Sequence, residues 1–205
     1  MVKKIFKWTI CILVTFLVLA AFRYFVIAPT IVKHNSMYPT LEENQRLFLN
    51  RTYRITHSPL KAGELVAFEA PAKTYTKTDA DKSNPVAVYD DKEDLSSKFF
   101  FYFLDINKTN YIKRVIGVAG DHVKIQNTKV FVNGNELDET YLPDNIVTDS
   151  GVFSDVVVPE GYIFVLGDNR PNSLDSRELG CIPLNKIEGT IALRFWPFDV
   201  FGKVK

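Results

Sequence analysis

The sequence feature that most constrains the fold is a run of apolar residues near the N-terminus, at positions 8–28. As a helix that rises ~1.5 Å per residue, a run of this length spans about the ~30 Å hydrocarbon core of a bilayer. Arg23 lies near the far end, where a long side chain reaches the polar interface. We therefore expect a membrane-spanning helix, which Pro29 stops.

Three lysines, Lys3, Lys4 and Lys7, come before the apolar run. Positive charge on the short flank of a membrane helix favours the cytoplasmic side. The sequence thus predicts a single-pass cell-membrane protein whose N-terminus is cytoplasmic and whose remaining chain is extracytoplasmic.

A cleaved secretory leader is the alternative, because it also combines a basic start with an apolar run. Leader cores usually measure about 7–15 residues, whereas this run is longer and carries Arg23. We expect a retained anchor over residues 1–29 and a folded extracytoplasmic domain over residues 30–205.

The chain after residue 30 is dominated by short β-strand patterns separated by turn residues. The Asn133-Gly134 pair predicts a two-residue hairpin, since both residues tolerate the positive φ of a type I′ turn. The fold class is therefore mainly β, behind one membrane helix. Strands are predicted at 46–53, 64–70, 111–118, 123–125, 129–132, 156–158, 162–166 and 190–195.

Composition excludes several classes of function. The 25 Lys and Arg nearly balance the 24 Asp and Glu, so there is no basic field to bind nucleic acid. Cys11 lies inside the predicted helix and Cys181 outside the membrane, so a disulfide scaffold is excluded. The three histidines have no metal-ligand spacing and no phosphate-binding loop occurs, so no metal or cofactor is expected.

Residues 72–110 form an insertion of unusual composition. Positions 72–97 are rich in Lys, Asp, Thr and Ser, which predicts an exposed and mobile loop. Positions 99–104 are an aromatic run too short to span a membrane. This run is either a buried strand or a surface element that contacts the membrane interface or a partner.

Two segments carry candidate chemistry. Ser36 follows the anchor and precedes Pro39, which fixes its own φ and biases the residue before it toward extended geometry. Lys113 lies in an otherwise apolar strand, on the same face as Tyr111 and Val115. No G-x-S-x-G or H-E-x-x-H motif offers another hydrolytic site.

A lysine among apolar groups loses hydration, so its pKa falls from ~10.4 by up to several units. The neutral amine can then take a proton from a serine hydroxyl. From the strand alone, the favoured interpretation of Lys113 is an ordinary solvent-facing lysine on an edge strand.

Four segments together resemble the motifs of bacterial type I signal peptidases, in the family's order and behind the family's anchor. Their positions are 36–40, 63–68, 111–117 with Gly120-Asp121, and 167–177. The resemblance implies an antiparallel β domain of two sheets and cleavage of signal peptides from exported preproteins. A single anchor and a compact domain are similar to the Gram-positive members.

The resemblance also implies roles for individual residues. Ser36 matches the nucleophile and Lys113 the general base, while Ser173 matches a serine that orients the lysine. Three charged residues and one apolar residue complete the set. Asp175 and Arg177 match a stabilising ion pair, Arg114 matches the basic residue after the lysine, and Met37 matches a residue of the substrate groove.

One departure from the family pattern concerns His34, where many relatives carry glycine or serine. In some relatives that serine helps to bind the oxyanion, so the resemblance leaves the second oxyanion donor open.

Three other functions stay open from sequence. A dedicated pilin-processing or pilus-assembly homologue is the alternative within the family. SOS repressor autoproteases share a Ser–Lys pair but lack an anchor, and a non-enzymatic anchored β module would leave Ser36 unreactive.

Overall fold

The computed structural model describes residues 2–90, 94, 101, 108–144 and 146–204. Its N-terminal helix α1 covers Val2–Phe25. The part from Lys3 to Phe25 is long and apolar enough to cross a membrane, and the rest of the described chain does not bury it. The helix ends before the predicted stop at Pro29, because strand β1 begins at Ile27 and contains that proline.

The rest of the described chain is mainly β, as the sequence predicts. The strands are β1 Ile27–Ile31, β2 Arg46–Asn50, β3 Leu65–Glu69, β4 Asn110–Val118, β5 His122–Gln126, β6 Lys129–Val132, β7 Asn135–Glu136, β8 Asp155–Val157, β9 Tyr162–Leu166, β10 Ile182–Pro183 and β11 Ile187–Trp196. Two single-turn helices, α2 Tyr53–Thr56 and α3 Ser176–Leu179, interrupt them.

The strands form two antiparallel sheets, which confirms the expected architecture. The large sheet has the order β1-β2-β11-β3-β4-β9-β10, and the small sheet has the order β7-β6-β5-β8. The strand β4 is central in the large sheet, since it pairs with β3 through its first half and with β9 from Arg114 onward. This position buries most of β4 on both faces.

Alternating apolar residues explain why these strands pack. Val115 lies in one core cluster with Phe68 and Val165, while Ile116 belongs to a second cluster beneath the small sheet. A third cluster, around Met37 and other residues near the first strands, supports the segment after the anchor.

The predicted hairpin is confirmed. Asn133 and Gly134 have φ angles of 54° and 81°, and they connect β6 to β7. Seven of the eight predicted strands lie close to observed strands. The eighth, 46–53, is too long at its C-terminal end, since Tyr53 begins α2. The sequence prediction omits β1, β7 and β10, which are short or contain proline.

The described part of the insertion is attached to the domain. Tyr75 packs edge-to-face on Phe153, and the Ala87 N–H donates to the Cys181 carbonyl at 2.9 Å. Most side chains at 72–90 are exposed as predicted, but these contacts contradict a loosely attached loop. The aromatic run at 99–104 lies outside the described residues, apart from Phe101.

Candidate active site

Ser36 lies in a single 3-10 turn, Asn35–Met37, between β1 and β2. The loop after β9 holds this turn in place. The Asn169 N–H donates to the Ser36 carbonyl at 3.1 Å, and the Asn169 side-chain amide donates to the Asn35 carbonyl at 2.9 Å. The backbone around the candidate nucleophile is therefore fixed by a distant segment.

Lys113 reaches this turn from the middle of β4. It is only 3 % exposed, and its Nζ lies 2.6 Å from the Ser36 Oγ. Burial lowers the pKa of Lys113 to about 8, while the nearby Asp175 and Asp168 carboxylates act in the opposite direction. The structure thus selects the buried-lysine interpretation over a solvent-facing one, and it brings the two residues into contact.

Gly167 marks a very close approach between the loop and the nucleophile turn. A Cβ on this residue would lie 2.1 Å from the Ser173 Oγ and 2.5 Å from the Ser36 carbonyl oxygen. Real Cβ atoms essentially never show such distances. Only glycine therefore fits between the two segments.

Asp175 and Arg177 form a buried ion pair instead of an exposed one, with side chains 0 % and 5 % exposed. Asp175 caps α3 and also accepts a hydrogen bond from the Gly167 N–H at 3.0 Å. The Arg177 guanidinium donates to the Arg170 and Ser173 carbonyls at 2.7 and 3.3 Å. The pair thereby fixes the loop that contacts Ser36.

Arg114 follows Lys113 on the strand and points to the opposite face. Its guanidinium donates two hydrogen bonds to Asp168, at 2.9 and 2.7 Å, and stacks on the Tyr141 ring at 3.8 Å. Thr40 donates to the same carboxylate. This buried cluster joins the β4 strand, the loop after β9 and the segment after Ser36.

Ser173 is half-buried, with its hydroxyl buried beside Gly167, but no hydrogen bond joins it to Lys113. Its Oγ has no hydrogen-bond partner among the described residues. The predicted contact by which Ser173 would orient Lys113 is thus not made in this structure. A buried hydroxyl without a hydrogen-bond partner lowers the stability of the folded state by about 1–3 kcal/mol.

A groove of about 310 Å³ lies at the dyad, between residues 29–37 and 108–113. Met37 and the exposed His34 both line it. Met37 is only 1 % exposed and also belongs to the core cluster near β2. Within the described residues, no group of His, Cys, Asp or Glu is arranged to hold a metal ion.

Comparisons with known proteins show the family of this chain. A family model described as "Signal peptidase, peptidase S26" matches residues 5–196. The chain belongs to this family. Signal peptidase IB of Staphylococcus aureus strain COL is 33% identical over 216 residues, which cover 98% of this chain and 94% of the relative.

A second relative in the signal peptidase family is signal peptidase I P of Bacillus subtilis subsp. natto. It is 31% identical over 211 residues, covering 99% of this chain and 95% of the relative. A solved structure of a signal peptidase I from Enterococcus faecalis V583 covers 66% of this chain and 98% of its own, with a TM-score of 0.41 and 23% identity. The names of the two sequence relatives do not support the alternative of a dedicated pilin-processing homologue.

Sequence reasoning missed three residues of this signal peptidase site. Gly167, Asp168 and Asn169 lie in the motif at 167–177 but have no predicted role, although all three contact segments near Ser36. The signal that could have found them is their place at the start of the fourth family motif, directly after a buried strand.

Proposed function

We propose that this chain removes signal peptides from exported preproteins, with Ser36 as the nucleophile and Lys113 as the general base. The observation that carries the proposal is the 2.6 Å contact between the buried Lys113 amine and the Ser36 hydroxyl. With the lysine pKa lowered to about 8, a useful fraction of the amine is neutral near physiological pH.

The β4 side of the groove offers a free strand edge to an extended peptide. The Thr109 and Val115 carbonyls accept hydrogen bonds from the β3 side, at 2.9 and 2.8 Å. Since backbone groups alternate along a strand, those of Asn110 and Ile112 point away from β3. The strand β9 pairs with β4 only from Arg114 onward, so this edge has no strand partner among the described residues.

The β1 side offers a second free edge. The Val26 carbonyl and the Val32 N–H both bond to the β2 side, so the backbone groups of Ile31 and Lys33 point the other way. A peptide strand placed between the two edges would pair with both. Because its alternate side chains would face one wall, we propose a preference for small residues one and three positions before the cut.

In the proposed reaction, the Ser36 hydroxyl gives its proton to the neutral Lys113 amine as its Oγ attacks the scissile carbonyl. The Ser36 backbone N–H donates to the developing oxyanion. Lys113 then returns the proton to the leaving amine, which leaves an acyl-enzyme on Ser36. A water molecule, deprotonated by the same lysine, hydrolyses this ester.

The supporting residues keep the dyad in this geometry. Asp175 and Arg177 fix the loop against Ser36, and Arg114 fixes the opposite face of β4 through Asp168. The unpaired Ser173 hydroxyl beside Gly167 is a suitable partner for the lysine amine once substrate displaces the contact to Ser36. These three roles are part of the proposal.

The apolar helix α1 and the family support a membrane location. We propose that α1 is a retained single-pass anchor with a cytoplasmic N-terminus, and that residues 30–205 form the extracytoplasmic catalytic domain. The lysines before the apolar run favour this orientation over the opposite one.

The test is cleavage of a preprotein by the full-length protein in detergent, with mass spectrometry of both products. We expect one cut after a small residue, and no product with Ser36→Ala. Thr52→Ala is the matched control, because it alters an exposed hydroxyl whose contact is to Asn50. Cleavage by the Ser36→Ala variant would refute the proposal.

A further inference from the structure

A chain of buried polar contacts runs from the end of α1 to the substrate groove. It begins at Tyr24, in the last turn of the helix, and passes through Arg54 of α2 and Glu188 of β11 to Lys108. None of these residues belongs to the catalytic cluster or to the motifs that carry the family resemblance.

Arg54 makes the contact with the membrane helix. Its Nη1 donates to the Tyr24 carbonyl at 3.2 Å, and its guanidinium lies 4.4 Å from the centre of the Tyr24 ring. The last four carbonyls of a helix have no partner within the helix, and a cation is favourable at this end. Arg54 therefore caps α1 from the catalytic domain.

Glu188 connects Arg54 to the groove. Its two carboxylate oxygens bind different partners, the Arg54 Nη2 and the Lys108 Nζ. The side chains of Arg54, Glu188 and Lys108 are 13%, 4% and 1% exposed. Ion pairs at this burial are screened little by salt, so they hold their geometry better than surface pairs.

Lys108 lies at one end of the groove, and the topology shows which end. β1 and β4 run in the same direction, because four successive antiparallel pairings separate them in the sheet. Lys108 and Pro29 therefore mark the end next to α1, while Ser36 and Lys113 mark the other. At ~3.3 Å per residue, about 17 Å of strand separates Lys108 from Lys113.

We infer that Arg54 is a positioning residue, which fixes the exit of α1 relative to the end of the groove where a membrane-held substrate enters. The inference rests on the proposed function, since it needs substrate in the groove and α1 in the membrane. When the exit of α1 from the membrane is fixed, Ser36 lies at a defined height above the membrane. Ser36 then contacts one particular peptide bond of a substrate whose apolar segment stays in the bilayer.

The test compares two substrates for the full-length Arg54→Met variant. One is a short soluble signal-peptide substrate in detergent, and the other is a membrane-inserted preprotein in proteoliposomes. We expect unchanged kcat/KM on the peptide. On the preprotein we expect a loss of about tenfold to a hundredfold, the cost of a misplacement near 1 Å, with additional cuts at neighbouring bonds.

The fold should survive this change, because Glu188 keeps Lys108 and also lies 3.3 Å from the Arg51 guanidinium. Arg46→Met is the matched control, since Arg46 also stacks on an aromatic ring, Trp196, but has no contact with α1. Should Arg54→Met unfold, Tyr24→Leu removes the ring contact between α1 and Arg54 while it keeps the backbone hydrogen bond and the ion pairs of Glu188, so a smaller loss confined to the preprotein is expected.

Equal losses on both substrates would show that Arg54 is merely structural, and no loss on either would show that the link has no effect. Either result would overturn the inference. If the unaltered protein cleaves neither substrate, the proposed function fails instead. If it cleaves both and the ratio is the same in Arg54→Met, only the positioning role fails.

Discussion

The pH dependence of cleavage follows directly from the burial of Lys113. With a pKa of about 8, roughly a tenth of the amine is neutral at pH 7 and roughly nine-tenths at pH 9. Since only the neutral amine accepts the serine proton, kcat/KM should rise about tenfold between these pH values. A lysine with an ordinary pKa near ~10.4 would give no plateau below pH 10.

A second group near the site titrates in an overlapping range. Burial, together with the nearby Asp175 carboxylate, raises the pKa of Glu178 to about 7. Its ionisation could contribute to the same limb of the pH profile. Glu178→Gln removes this titration while keeping the side-chain shape, so it is the matched control for Lys113.

The assay is kcat/KM for a fluorogenic signal-peptide substrate in detergent, from pH 6 to 10. We expect a rising limb with a midpoint near 8 in the unaltered protein and in Glu178→Gln. Lys113→His should lose this limb or move it to lower pH. A midpoint near 10, or a limb that is unchanged in Lys113→His, would refute the assignment of Lys113 as the base.

The remaining predictions concern the dyad and its surroundings. Ser36→Ala and Lys113→Ala should each abolish cleavage, and the double variant should be no worse than either, because the two groups act as a unit; residual activity that falls further in the double variant would contradict this. Lys113→Met should stabilise the fold at pH 7 by up to about 3 kcal/mol, since the lowered pKa means that the folded state disfavours the charged lysine. Between about pH 8 and 10.5 the unfolded chain binds one more proton than the folded protein, so the stability of the unaltered protein rises with pH in this range. Thermal unfolding should therefore show that the stability difference between Lys113→Met and the unaltered protein shrinks as the pH rises from 8 to 10.5. Gly167→Ala should lower both the activity and the melting temperature, because the Cβ of alanine would overlap Ser173 and the Ser36 carbonyl. An unchanged melting temperature would contradict this, since it would show that the loop moves to accept the Cβ without loss of stability.

Removal of the insertion is a further test, and the structure changes its expected result. If residues 72–110 were only a mobile surface insertion, replacing 74–108 with a Gly/Ser linker would spare the fold and the cleavage of a small substrate. The structure shows Ala87 in the core and Lys108 paired with Glu188, so the replacement should lower the melting temperature. Replacing only the exposed residues 81–84 with Gly and Ser leaves both contacts and should keep the stability of the unaltered protein. Equal destabilisation by both replacements would contradict this account.

The dyad could be predicted from the sequence because its signals are local. A lysine in an apolar strand and a serine before a proline turn are each visible within a few residues, and the family motifs add their order. The strands β4 and β9 were similarly predictable, since their apolar residues form compact runs between turn signals. The strand β1 could not be predicted, because a proline after an apolar helix indicates the end of that helix, and Pro29 in fact lies in an edge strand.

Partners that are distant in sequence could not be predicted in this way. The Arg114–Asp168 pair joins the middle of β4 to the loop after β9. Arg54, Glu188 and Lys108 are single charges in three segments that are distant in sequence. In the sequence, each of these residues is indistinguishable from an ordinary surface charge. Only the order of the strands in the sheet shows that they are neighbours. The same holds for residues 72–97, whose polar composition gives no sign that the part up to residue 90 contacts the core.

The central claim is that Ser36 forms a covalent bond to the substrate. The most direct measurement is rapid acid quenching of a reaction with a preprotein, followed by peptide mapping of the enzyme by mass spectrometry. We predict an acyl group on Ser36 with the mass of the signal-peptide fragment, and no adduct in Ser36→Ala. An adduct on another residue, or preprotein cleavage by the Ser36→Ala variant, would contradict the account.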